Sequence, residues 1–271
     1  VASRTGRVED STPPTVVSAD AMVDSPQIRL KFSEQIDPES AQSPENFAIR
    51  DRKVKAVKAD DCSVLITLDK PLEQDMQIGV RGIRDTSPAR NAMEAQGVDV
   101  VVKGPVFRQK DGIERATNRM EVDGLPTASR DAWTLNLFVR PVQQPENRTL
   151  IAGFGSTEDK QGQGRYFAKF GSGIHFWTAN ADVRTSTPLD VGKWQMLTAA
   201  YDGKTMRLYK NAELIAETDV ALADDDRVVE LLPVDPWDRE RKLKGEVSGM
   251  TVWNDALPPE MVMSVDDLVD A

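Results

Sequence analysis

The clearest hydrophobic–polar pattern lies in GKWQMLTAAYDGKTMRLYKNAELIAE, residues 192–217. Trp194, Met196, Thr198 and Ala200 alternate there with Gln195, Leu197, Ala199 and Tyr201, the two-residue period of a strand. Asp202-Gly203 breaks the run, and Asp-Gly between alternating segments predicts a hairpin turn with positive backbone angles. Met206, Leu208 and Lys210 then alternate with Arg207, Tyr209 and Asn211, before a second polar corner and Leu214, Ile215 and Ala216.

Short β-like runs of this kind fill the chain. In the first part they fall at 15–19, 27–32, 46–50, 54–59, 63–68, 77–80 and 98–102, with a turn or single helical turn at 40–46. Seven short strands in about ninety residues predict a β-sandwich. The second part predicts strands at 119–122, 133–139, 149–154, 166–170, 174–178, 194–201, 206–210, 213–217, 228–232 and 246–253. A Pro start and acidic early positions predict a short helix over 258–269. The expected organisation is a polar linker at 1–14, a first β domain at 15–103 and a larger one at 104–271. The fold class is all-β.

Composition narrows the function classes. A net charge of −10 argues against nucleic acid, whose phosphates need clustered Lys and Arg. No apolar run is long enough for membrane insertion as a helix. Cys62 is the single cysteine, which excludes an internal disulfide; beside Ser63-Val64-Leu65-Ile66 it reads as a buried strand thiol. His175 is the single histidine and reads as a strand residue facing solvent or hydrogen-bonded. The start at Val1-Ala2-Ser3 reads as a mature form or an excised fragment.

Three segments carry a resemblance. Trp133-Thr134-Leu135-Asn136-Leu137-Phe138-Val139-Arg140-Pro141, the 192–217 hairpin, and Gly245 through Leu257 (GEVSGMTVWNDAL) are similar, in order, to the strands of LamG-like jelly rolls in the concanavalin A-like lectin/glucanase superfamily. The first part resembles bacterial Ig-like domains through Phe32-Ser33-Glu34, Asn46-Phe47-Ala48-Ile49, Asp85 and Asn91. The resemblance implies an Ig-like sandwich followed by a larger jelly roll in a secreted bacterial protein, extracellular, periplasmic or on the cell surface. It also implies a glycan or a surface protein as partner, and other domains of the same parent protein.

Laminarinase-type glycoside hydrolases place acids as E-x-D-x-x-E on one strand face; here Glu121-Val122-Asp123 is followed by Gly124, Leu125 and Pro126, so the third acid is missing. No G-x-S-x-G elbow or phosphate-binding glycine loop occurs. The resemblance implies a Ca²⁺ at a sheet edge, with Asp123 of Asp123-Gly124 as the metal ligand to expect. The acidic run Asp224-Asp225-Asp226 reads as a solvated loop. Sugar binding asks for exposed rings flanked by hydrogen-bonding groups. Trp133, Trp194 and Trp253 lie in the strand motifs and read as packing residues. Trp237, in the polar loop Asp235-Pro236-Trp237-Asp238-Arg239, is the better binding candidate, with Arg239 beside it. Trp177 alternates with Phe176, so one of the two faces out. The expected function is therefore a non-catalytic recognition or adhesion module that binds carbohydrate. A structural spacer beside a catalytic domain is the first alternative, and a glycoside hydrolase the second.

Overall fold

A computed structural model describes residues 10–262 apart from 116, 118, 159, 236 and 239. The chain divides into two compact units, Val1–Gly104 and Pro105–Ala271. The first unit contains β1 (Val16–Met22), β2 (Gln27–Phe32), α1 (Pro38–Ala41), a 3₁₀ turn (Pro44–Asn46), β3 (Phe47–Ile49), β4 (Val54–Asp60), β5 (Ser63–Leu68), β6 (Met76–Val80) and β7 (Gln96–Lys103). The strands are ordered β3-β6-β7-β1-β2-β5-β4. β7 changes partner along its length: it pairs antiparallel with β6 over Gln96–Val100 and parallel with β1 over Val101–Lys103. Alternation decides which side chains pack inward, so Ile28, Leu30, Val64, Ile66, Ile78, Val80 and Val100 form one core. Cys62 departs from expectation. It is half-buried in the β4–β5 turn, because the strand begins one residue later at Ser63.

The second unit is a sandwich of two six-stranded sheets. It comprises β8 (Phe107–Gln109), β9 (Met120–Glu121), β10 (Trp133–Pro141), β11 (Leu150–Phe154), β12 (Arg165–Phe170), β13 (Gly173–Trp177), β14 (Val183–Arg184), β15 (Gln195–Tyr201), β16 (Thr205–Lys210), β17 (Glu213–Asp219), β18 (Val228–Leu231), β19 (Gly245–Trp253) and α2 (Pro259–Val262). One sheet runs β17-β16-β15-β10-β19-β8 and the other β14-β13-β12-β11-β18-β9. The expected helix begins as α2; residues 263–269 lie outside the described residues. Among the described residues no helix is long and apolar enough to cross a membrane.

Trp133 of β10 ties the sheets together. Its ring lies 5.3 Å from that of Phe154 and 5.7 Å from that of Phe176 in the opposite sheet, and 5.8 Å from Tyr201 in its own. Of the strand-motif tryptophans, Trp133 and Trp253 are buried. Trp194 is half-buried, with the Arg140 guanidinium 4.9 Å above its ring.

The predicted hairpin forms, with two differences at its corners. At the first, only Gly203 takes a positive φ (93°). Asp202 instead accepts the N–H groups of Lys204 (3.1 Å) and Thr205 (2.8 Å), an Asx turn built by its side chain. At the second, Asn211 (φ 50°) and Ala212 (φ 65°) are both left-handed, the arrangement that favours glycine at the second position.

The acidic run is also not a solvated loop throughout. Asp224 and Asp226 are exposed, but the Asp225 side chain is fully buried against Arg165, itself fully buried. Asp225 accepts the N–H groups of Ser156 (2.7 Å) and Gly164 (2.6 Å) as well as the guanidinium, which also donates to Ala223 O (3.0 Å) and Thr127 O (3.3 Å). A solvated carboxylate has no such set of donors; this one compensates a charge inside the sandwich.

Two stability predictions follow from these geometries. Ala212→Gly removes a Cβ from a left-handed residue and raises the unfolding free energy by about 1 kcal/mol in urea titration; a loss of stability refutes the strain. Asp225→Asn leaves the Arg165 charge buried without its partner and lowers stability by about 3–5 kcal/mol. Asp226→Asn, at an exposed site, changes it by less than about 0.5 kcal/mol. Equal effects of the two would show that Asp225 is not the buried counterion.

Candidate functional site

The outer face of the β14-β13-β12-β11 sheet is not left to solvent. Strand alternation sends Ile174, Phe176 and Phe167 into the core and turns His175, Trp177, Tyr166 and Ala168 outward. A bulge in β11 between Leu150 and Ala152 places Leu150 on the outer face with them. All five of these outward residues are at least nine-tenths buried. Leu150, Ala168, His175 and Trp177 form the floor of a cleft of about 370 Å³ whose rim includes Arg148, Phe170, Asn180, Asp182, Arg184 and Trp237; Tyr166 packs behind Trp177.

One wall is aromatic. Trp177 and Trp237 stand edge to face with ring centroids 5.6 Å apart, and the Tyr166 ring lies 6.1 Å beyond Trp177. Trp177 fits only because Gly164 has no side chain: a Cβ there would come within 2.3 Å of the indole. Trp237, half exposed at 51%, is presented by a loop wound around the buried Asp235. Asp235 Oδ1 accepts the N–H groups of Trp237 and Asp238, both at 2.9 Å, and Arg241 reaches its other oxygen at 3.2 Å. Tyr166 donates to Gly155 O at 2.8 Å and lies 3.2 Å from Glu230 Oε2. Burial, then the Glu230 charge, hold its hydroxyl protonated well above the usual tyrosine range.

The other side is polar. His175 Nε2 lies 3.2 Å from Asp182 Oδ2 but off the line of a good hydrogen bond, and Nδ1 meets no partner among the protein atoms. A buried polar atom in that state costs about 1–3 kcal/mol. Asp182 accepts the Thr178 N–H at 2.9 Å and lies 3.5 Å from Arg184 Nη2. Burial alone would raise its pKa; His175, the Thr178 N–H and Arg184 outweigh that and hold it below the usual carboxylate range. The Thr178–Asp182 loop turns through left-handed Ala179 and Asn180, which sets Asn180 at the cleft.

Of the residues expected from sequence, Trp177 and Trp237 meet in this cleft. Arg239 lies outside the described residues. Asp123 is elsewhere, exposed in the turn after β9, in a groove it shares with Glu121, Asp226, Arg119 and Arg227. Arg119 already approaches Asp226 at 3.5 Å, so a cation there has to compete with two guanidinium groups. Among the described residues, three carboxylates close enough to share an ion occur at Asp10, Glu34 and Asp85, not at Asp123. His175 faces neither solvent nor a regular hydrogen-bond partner. A lone histidine in a strand carries no motif that marks a site, although its parity with Trp177 puts both on one face of β13. Arg148, Asp182 and Arg184 come from turns and from a two-residue strand with no sequence pattern to mark them.

Residues 115–263 match the Laminin_G_3 family, described as the concanavalin A-like lectin/glucanases superfamily. No curated protein matches. Among solved structures, a candidate carbohydrate-binding protein from Bacteroides ovatus aligns at 13% identity over 96% of this chain and 82% of its own, with a TM-score of 0.45. The CBM40 of the Ruminococcus gnavus IT-sialidase, bound to α2,3-sialyllactose, aligns at 16% identity over 62% of this chain and 98% of its own (TM-score 0.41). Domain 4 of the Geobacillus stearothermophilus extracellular arabinanase AbnA, in complex with arabinotriose, aligns at 18% identity over 50% of this chain and 66% of its own (TM-score 0.35). The family match covers more than half of the chain and coincides with the two-sheet sandwich, so the chain belongs to the concanavalin A-like lectin/glucanases superfamily.

Proposed function

We propose that the cleft on the outer face of β11–β14 binds a sugar unit of a glycan and that the protein is a non-catalytic recognition module. The observation that carries this reading is the pairing of an aromatic corner, Trp177 and Trp237, with the polar groups of His175, Asn180 and Asp182 in one cleft of about 370 Å³. A pyranose has apolar C–H faces and an equatorial belt of hydroxyls, and a site of this size with few polar groups suits both. Glycoside hydrolysis uses two carboxyl groups flanking the bond. Asp182 is the one acid among the described residues lining the cleft, which favours binding over cleavage.

In the same proposal the first unit serves as an Ig-like spacer, and the parent is a secreted or surface-attached bacterial protein. The rival reading makes the jelly roll a packing module, with Trp237 buried against a further domain; its 51% exposure in this chain is compatible with either.

Trp237→Ala separates the two. The ring is half exposed, so its removal leaves the melting temperature nearly unchanged. In tryptophan-fluorescence titration with a glycan panel, the parent responds and the variant binds at least about tenfold more weakly, the effect of losing an aromatic anchor. A parent that responds to no glycan refutes the binding reading. Ca²⁺ at Asp123 is a separate proposal. It predicts a higher melting temperature with added Ca²⁺, reversed by chelator and absent in Asp123→Ala; a melting temperature indifferent to Ca²⁺ removes it.

A further inference from the structure

The rim of the cleft carries a charge pattern that binding a neutral sugar does not require. Resting on the sugar-binding reading, we infer that the sugar bears an anionic substituent, a carboxylate or a sulfate ester, held between Arg148 and Arg184.

The two guanidinium groups come from a turn and from strand β14, and both lie against one ring. The Arg184 guanidinium carbon lies 4.1 Å, and that of Arg148 5.9 Å, from the centroid of Phe170. A guanidinium seated on an aromatic face keeps its N–H fork available at the edge, where a planar oxyanion is taken by two parallel bonds. Asp182 does not neutralise both charges. It approaches Arg184 at 3.5 Å and is otherwise engaged by Thr178 and His175, whereas Arg148 makes no ion pair among the described residues. Two positive groups therefore face one negative group in a chain whose net charge is −10.

The backbone supports the same assignment. Arg148 has φ 67°, a left-handed conformation in which glycine is the least strained residue. Its N–H donates to Lys169 O at 2.8 Å, and Asn147 Oδ1 accepts the Gly171 N–H at 2.7 Å. The turn is thus pinned to the β12–β13 corner that carries Phe170. A long cationic side chain stands where folding alone favours none, and strain of this kind collects at ligand-holding positions. Beneath it, His175 lines the same cleft, with its buried ring nitrogens making no hydrogen bond among the described residues.

The test uses the full chain in calorimetric titration with uronate-bearing and sulfated oligosaccharides. The methyl esters of the uronates and the desulfated forms serve as neutral counterparts. An acidic form is expected to bind roughly tenfold more tightly than its neutral counterpart at about 20 mM salt, with the advantage shrinking at about 0.5 M. Arg148→Gly suits the local backbone, so it melts at or above the parent temperature while losing that preference. Whether uronates or sulfated sugars show the Arg148-dependent preference identifies the anion. Equal binding of acidic and neutral forms, or a preference that survives in Arg148→Gly, overturns this inference and leaves sugar binding intact. Binding of neither set, acidic or neutral, removes both.

Discussion

The buried pair of Arg165 and Asp225 ties together several separate parts of the second unit. Two charges with fully buried side chains are tolerable only if they compensate each other and most of their remaining hydrogen-bonding groups are met; here Arg165 Nε is left without a partner among the described residues. That requirement gathers three separate stretches of chain: the Gly155-Ser156 corner after β11, Gly164 before β12, and the 223–225 segment before β18. Gly155 and Gly164 are both left-handed, and Asp225 lies where a Cβ on Gly155 would stand. The corners cannot relax independently, because each supplies a donor to the same carboxylate.

That constraint reaches the aromatic wall of the cleft at Gly164. Gly164 gives its N–H to Asp225 on one side and leaves room for the Trp177 ring on the other. The aromatic wall is therefore positioned from the sandwich interior, while the polar rim is positioned by turns at its edge: Asn147-Arg148, Thr178–Asp182 and the loop around Asp235. A rigid floor with a separately built rim lets the fold stay constant while recognition is set by a few loop residues.

Period-two alternation made the architecture legible, because each strand of the sandwich buries one face in a common core. The strands that alternation missed, β8 and β14, are three and two residues long, too short to show a period. The candidate site was half legible. Trp177 and Trp237 stood out as rings that the strand motifs did not absorb, and they do share one cleft. The charged partners were hidden for a physical reason: Arg165 and Asp225 are sixty positions apart, and no local pattern separates Asp225 from the exposed acids on either side of it. Arg148 and Arg184 likewise acquire meaning only when the fold sets both against Phe170. Cys62 shows the limit at the smallest scale, since a shift of one residue at a strand boundary moved it from a buried strand to a turn.

The parallel pairing of β1 with β7 in the first unit has a mechanical consequence. These are the first and last strands among the described residues of that unit, and Asp20, Ala21 and Met22 lie beside Val101, Val102 and Lys103, with Lys103 Nζ 2.8 Å from Asp20 Oδ1. Tension between the unit's two ends pulls the start of β1 and the end of β7 in opposite directions along their common axis. Every bond between the two strands is then loaded in shear at the same moment. Antiparallel terminal strands would instead open one bond at a time, like a zip. The topology thus gives this unit a stiffness along the line of the chain that its thermodynamic stability alone does not measure.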